Sequence, residues 1–193
     1  FGTIRGGELY IDGVGADDVL QGDPIGDCFA VGAMLAAASA NKSIVEDAIR
    51  PNDDGTYSVR FFTKKRGATR YEPVFVRVAA TFPTKRGRLA YARGRDPKEL
   101  WGPLLEKAYA KLMGGYQAIG DGGVASDVIA ALTGRAADYH DVTSANPQDV
   151  WKDMKATMDK RAPLVAGTYA KGPGGRRGVS FGRLKMWSGH AYA

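Results

Sequence analysis

The stretch "CFAVGAMLAAASA", residues 28–40, is apolar all the way round a helical wheel. A helix without a polar stripe cannot lie on a surface and has to be enclosed by other elements. Asp27 directly precedes it and reads as its N-cap, so the helix is expected to start at Cys28, the only cysteine in the chain. At 193 residues the chain is long enough to enclose such a helix, as one domain or as two small lobes.

The remaining segments supply the enclosure. Residues 1–20 are glycine-rich, acidic at the end and without a period, as in a loop laid over something else. "SIVE" (43–46) has the capping-box pattern of a short helix. "DDGTYSVRFF" (53–62) and "EPVFVRVAATF" (72–82) read as two strands joined by a basic turn. "DPKELWGPLLEKAYAKLM" (96–113) sets Trp101, Leu104, Leu105, Ala108 and Leu112 on one helical face, with Pro103 expected to kink or restart the helix. A short helix over 126–134 closes at Gly134, and another over 146–160 has Asn146 as cap and Pro147 at its first position. "APLVAGTYA" and "RLKMWSGHAYA" are strand-like. Helices to about residue 160 followed by strands give an α+β layout, with two lobes, 1–140 and 141–193, joined near 134–143.

Charge narrows the partners. Residues 1–140 carry 18 Lys/Arg against 17 Asp/Glu, and 141–193 carry 9 against 4. Part of that surplus sits in "KGPGGRRG" (171–178), where no aromatics interleave with the arginines. The stretch therefore reads as a solvated loop rather than a specific nucleic-acid surface. No apolar run approaches the roughly 18 residues of a membrane span. One cysteine allows no internal disulfide, which fits a reducing compartment such as the cytoplasm.

A thiol becomes a nucleophile when it is held as thiolate, which a helix N-terminus and a nearby imidazole both promote. Cys28 opens the apolar helix, Gly22 and Gly26 permit close approach, and Gln21 offers an amide that could donate to an oxyanion. Of the two histidines, His140 and His190, the second is far away in sequence, as a Cys–His pair drawn from two lobes requires. On these residues alone, a packed core cysteine and a catalytic one both remain open.

"QGDPIGDCFAVGAMLAA" is similar to the "QGxxGDCWxLAA" signature of the calpain family of papain-like cysteine proteases. The resemblance continues through "FPTKRGRL" (82–89), "ELWGPLLEKAYAKLMGGYQAI" (99–119), "GG" (122–123), "ALTG" (131–134) and "GHAYA" (189–193). It implies a papain-like fold, a helical lobe plus an incomplete β-barrel lobe, and an endopeptidase acting on protein or peptide substrates. By this match Cys28 is the nucleophile, His190 the general base, and Gln21 with the Cys28 backbone N–H the oxyanion hole. Gly123 and Gly189 fall at the substrate-binding glycines. The family's calcium site in the helical lobe maps to Ile11, Gly13, Asp18 and Glu99, oxygen donors of the kind a hard cation takes. His140 matches no catalytic position.

Three departures accompany the match. The Gln21-to-Cys28 spacing is one residue longer than the family's, and Phe29 stands where the family has Trp. The orienting asparagine of the family's "NPWG"-like motif has no counterpart after His190. The start at Phe1 and the end at Ala193 read as an excised piece of a larger protease, completed by a further segment or a second chain. Two rival readings share the fold: a calpain-like module that binds without cutting, and papain-like acyl transfer or deamidation on the same dyad.

Overall fold

The computed structural model describes residues 1–22, 25–168, 178–181 and 183–193. The apolar helix is present as α1 (Cys28–Ala40), and Ala30, Ala33, Met34 and Ala37 are fully buried along it. Its small side chains allow close approach by α3 (Trp101–Met113) and α5 (Ala125–Thr133). The short helix α2 (Ser43–Glu46) follows α1, and α4 (Tyr116–Gly120) follows α3.

Two departures from expectation concern helix starts. "SIVE" is no capping box: Ser43 is already helical, and its N–H donates to Asn41 Oδ1 at 3.1 Å. Pro103 neither kinks nor restarts α3, because the helix begins only at Trp101 and the proline lies in its first turn. N–H groups there have no intrahelical partner to lose. Trp101, Leu104, Leu105 and Ala108 are buried as the pattern requires, and Leu112 is partly buried. Gly134 closes α5 in the left-handed conformation at φ 70°. Asn146 caps α6 (Pro147–Asp159), its side chain accepting from Gln148 N–H at 2.9 Å.

The two predicted strands pair antiparallel over Thr56–Thr63 and Glu72–Ala79, from Thr56 opposite Ala79 to Thr63 opposite Glu72. A third strand that the pattern did not reveal, Ile49–Pro51, adds to the outer edge of Thr56–Thr63. One face of this sheet buries Val59, Phe61, Val76 and Val78, with the Phe61 ring 5.9 Å from that of Tyr109 on α3. The N-terminal segment is loop apart from two short strands. Gly2–Thr3 pairs with Thr81–Phe82, and Val19–Leu20 pairs with Arg93–Gly94. The layout is α+β, and among the described residues the small sheets do not close into a barrel. Most of the basic stretch 171–178 lies outside the described residues.

Among the described residues, every fully buried apolar side chain belongs to residues 14–132. The C-terminal part of the chain reaches α1 through the strand Ala191–Tyr192, which pairs with Ala166–Gly167. There a Cβ on Gly32 would lie 3.3 Å from that of Ala191. Helix α6 buries none of its residues, and Trp151 on it is 60% exposed. Leu105→Ala is accordingly expected to cost about 2–5 kcal/mol in urea unfolding. Trp151→Ala should change stability by about 0.5 kcal/mol or less. Equal losses would mean that α6 is packed like a core helix.

Candidate active site

The loop that delivers Cys28 is gripped from both sides. A Cβ on Gly22 would lie 2.2 Å from the Tyr91 carbonyl oxygen and 2.5 Å from that of Ala90. One on Gly26 would lie 2.5 Å from the Gly120 oxygen, to which Gly26 N–H donates at 2.8 Å. Both glycines are thus required by backbone packing against backbone. Asp27 is not the side-chain cap the sequence indicated: its carboxyl makes no cap hydrogen bond and is wholly buried. The N–H groups of Ala30 and Val31 bond instead to the Asp27 carbonyl, at 2.8 and 3.1 Å.

Cys28 is half-buried at the first position of α1, and its Sγ lies 3.9 Å from the Gly189 carbonyl oxygen. His190 is the next residue. Its backbone N–H donates to Thr168 Oγ1 at 3.0 Å, and its carbonyl accepts from Thr168 N–H at 2.9 Å. The paired strands Ala166–Gly167 and Ala191–Tyr192 therefore hold the histidine's backbone against the first turn of α1, while its side chain stays exposed. Cys28, Gly123, Gly189 and His190 line one cleft, together with Gln21. A Cβ on Gly123 would meet the Phe29 ring at 2.5 Å, so the backbone there lies bare on the aromatic that follows the cysteine. The Gln21 amide is turned towards its own loop, with Nε2 donating to Ile25 O at 3.4 Å and Asp27 Oδ1 at 3.5 Å. His140 is exposed on the wall of the same cleft.

A second constellation forms where the N-terminal loop meets the start of α3. The carboxylates of Asp12, Asp18 and Glu99 offer oxygens within 4.8 Å of one another. Asp18 accepts from Trp101 Nε1–H at 3.2 Å and from Gly15 N–H at 2.5 Å, and Ile11 N–H donates to Glu99 Oε1 at 3.3 Å. Burial pushes the Glu99 carboxyl above the usual carboxylate range. The Ile11 hydrogen bond opposes this, and the negative charges of Asp18, Asp12 and Asp96 add to it. Sequence reasoning named Ile11, Gly13, Asp18 and Glu99 but missed Asp12, although Asp12 stands between the first two in "IDGVGADD".

A model of the calpain family of cysteine proteases matches residues 3–193. Calpain-5 of Caenorhabditis elegans is 32% identical over 197 residues, covering 96% of this chain and 30% of that protein. The Calpain-1 catalytic subunit of Mus musculus is 28% identical, over 96% of this chain and 25% of its own. The calpain-type cysteine protease DEK1 of Arabidopsis thaliana is 36% identical, over 96% of this chain and 8% of its own. This chain thus spans less than a third of each of these relatives, at 30%, 25% and 8% of their lengths. It belongs to the calpain family of cysteine proteases.

Proposed function

We propose that this chain is the papain-like core of a calpain-type endopeptidase that cuts peptide bonds through Cys28 and His190. Residues 1–140 act as the helical lobe and 141–193 as the start of the β-rich one. The observation that carries this is the approach of two distant segments: Cys28 Sγ lies 3.9 Å from the carbonyl of Gly189, next to His190, in a shared cleft. Cys28 stands at the N-terminus of α1, where the helix dipole has its positive end.

In the reaction His190 takes the Cys28 proton, and Sγ forms a bond to the peptide carbonyl carbon. The carbonyl π pair moves onto oxygen, where the Cys28 N–H and the Gln21 amide stabilise it. Collapse breaks the C–N bond, the amine leaves with the proton held by His190, and water then hydrolyses the thioester. Gly123 and Gly189, whose backbones line the cleft, bind the substrate as an extended strand. Two groups turn on the way to this state: the thiol from Gly189 O to the imidazole, and the Gln21 amide from Ile25 O to the oxyanion.

His190 also needs an orienter. All three asparagines serve elsewhere: Asn41 holds Ser43 N–H, Asn52 bonds Thr56 and Ser58, and Asn146 caps α6. In this reading the orienting amide comes from a further segment or a second chain. A single thiol of this kind works where thiols stay reduced, which suits the cytoplasm. Among the described residues, no helix is long and apolar enough to cross a membrane.

The acidic loop fits calcium. Three crowded carboxylates, one of them buried, form a hard oxygen donor set whose mutual repulsion a divalent cation relieves. Asp12, Asp18 and Glu99 would hold it, with the Ile11 and Gly13 carbonyls. Calcium supplies charge neutralisation there and regulates the core from outside the cleft. Trp101 and Gly15 fix the Asp18 carboxylate meanwhile.

The protease reading is tested by intact-mass labelling with a peptidyl epoxide, with and without millimolar calcium. A single adduct is expected on Cys28, absent from Cys28→Ala. In His190→Ala it should form about 100-fold more slowly, the contribution of a general base. Labelling no faster than that of a free thiol, even in the full-length protein, would sink it. Accumulation of an amide product with an added amine would instead identify a transferase.

Calcium binding is tested by thermal unfolding. Saturating calcium, at about 100 times Kd, should add about 2.7 kcal/mol of stability. Asp12→Asn, Asp18→Asn and Glu99→Gln should each lose most of that gain, and magnesium should not reproduce it. A Tm indifferent to calcium would rule the site out.

A further inference from the structure

Two carboxyl groups beside Cys28 are almost wholly removed from water: Asp27 is 0% exposed and Glu106, on α3, is 1% exposed. Among the described residues, neither forms an ion pair with a cation. Glu106 Oε1 accepts from Ala92 N–H at 2.8 Å, in the segment whose carbonyls grip Gly22. Tyr116 of α4 hydrogen-bonds the same carboxyl, and its ring lies 4.6 Å from that of Tyr91. Asp27 Oδ1 takes the Gln21 amide, but Asp27 Oδ2 is buried without a hydrogen-bond partner, and Glu106 is the neighbouring carboxyl that acts on Asp27.

Two uncompensated anions in one dry pocket are not sustainable, so the pair keeps a proton. Burial raises both carboxyls. Asp27 is drawn back by hydrogen bonds from Glu106, its own backbone and Gln21, while Glu106 is raised further by its bond to Asp27 and by the Asp27 charge, against the bonds from Ala92 and Tyr116. A proton on Glu106 would supply the donor that the orphaned Asp27 Oδ2 lacks.

We propose that Glu106 is a positioning residue: neutral, it donates to Asp27, and Asp27 holds one N–H of the Gln21 amide, so that helix α3 sets the aim of the oxyanion donor. An amide nitrogen has two hydrogens. With one fixed on Asp27, the other is free to swing from Ile25 O to the substrate oxygen. The inference rests on the reading of Gln21 as oxyanion donor, and it extends that reading to a residue 85 positions away in the sequence.

The proton itself is tested without reference to activity. In protein carrying 13C at the glutamate carboxyls, one signal should keep its protonated shift at pH 7 and vanish in Glu106→Gln. If instead every glutamate titrates near its usual value of about 4, the proposal falls. Positioning is tested by peptide hydrolysis in the full-length protein. Glu106→Gln, whose amide can both accept from Ala92 and donate to Asp27, should stay within about threefold of wild type. Glu106→Leu should lose about 10- to 100-fold in kcat at unchanged KM, part of the effect of deleting an oxyanion donor.

The double variant Gln21→Ala/Glu106→Leu should be no slower than Gln21→Ala alone. Additive losses would mean that Glu106 acts only on the fold and would overturn the proposal. If Glu106→Leu does not fold, Glu106→Gln and the carboxyl signal still decide. A wild-type protein that cleaves nothing would refute the protease reading, while the carboxyl signal would still report on the pair.

Discussion

An apolar helix carries its N-terminus wherever its burial puts it. The core packing of Ala30, Ala33, Met34 and Ala37 fixes α1, and Cys28 at its first turn inherits the precision of that core. The rest of the site is arranged around this point. The loop before Cys28 is wedged between the Ala90 and Tyr91 carbonyls on one side and Gly120 on the other, which leaves Gly22 and Gly26 no room for a side chain. The strand Ala191–Tyr192 reaches the same helix from outside the core and brings His190 with it. The same burial carries a liability, because the residue before Cys28 is an aspartate and the enclosure of the helix drags its carboxyl inside.

The chain meets the problem of crowded acids twice and resolves it differently each time. Asp27 and Glu106 lie where neither water nor a cation reaches, so the charge is halved by a retained proton. Asp12, Asp18 and Glu99 lie at the edge, where Asp12 is exposed and Asp18 half-buried. An ion has access there, and in the proposed reading calcium would relieve the crowding at low desolvation cost. Exposure decides which solution each cluster can use.

Much of this was legible in the sequence, for reasons that differ by element. α1, the strand pair of Thr56–Thr63 with Glu72–Ala79, the closure at Gly134 and the Asn146 cap depend on local pattern and follow it. The strand Ile49–Pro51 did not show itself, because three residues carry no period and its existence depends on the neighbour it pairs with. The misreadings at Asp27 and Pro103 share one cause. Each residue type has a standard local use, as a cap or a breaker, and tertiary packing assigned another. Asp27 was claimed by Glu106 and Gln21, and Pro103 was harmless once the helix started at Trp101. Asp12 was missed because family spacing pointed past it, and only the folded loop brings its carboxylate to Asp18 and Glu99.

The acidic cluster and Gln21 lie at two ends of one strand pair. Asp18 leads directly into Val19–Leu20, which ends on Gln21. Glu99 leads back through the turn at Asp96 to Arg93–Gly94, which begins beside Ala92, the residue whose N–H holds Glu106. These two short strands are hydrogen-bonded to each other, Val19 opposite Gly94 and Leu20 opposite Arg93. Arg95 ties their ends once more, through its N–H to the Asp18 carbonyl and its guanidinium 2.8 Å from Asp17. Helix α3 spans the same gap from beneath, with Trp101 on Asp18 at one end and Glu106 on Asp27 further along. Asp18 and Glu99 thus flank the strand pair that leads to Gln21 on one side and to Ala92 on the other. Only a few residues of directly bonded backbone separate the acidic cluster from Gln21.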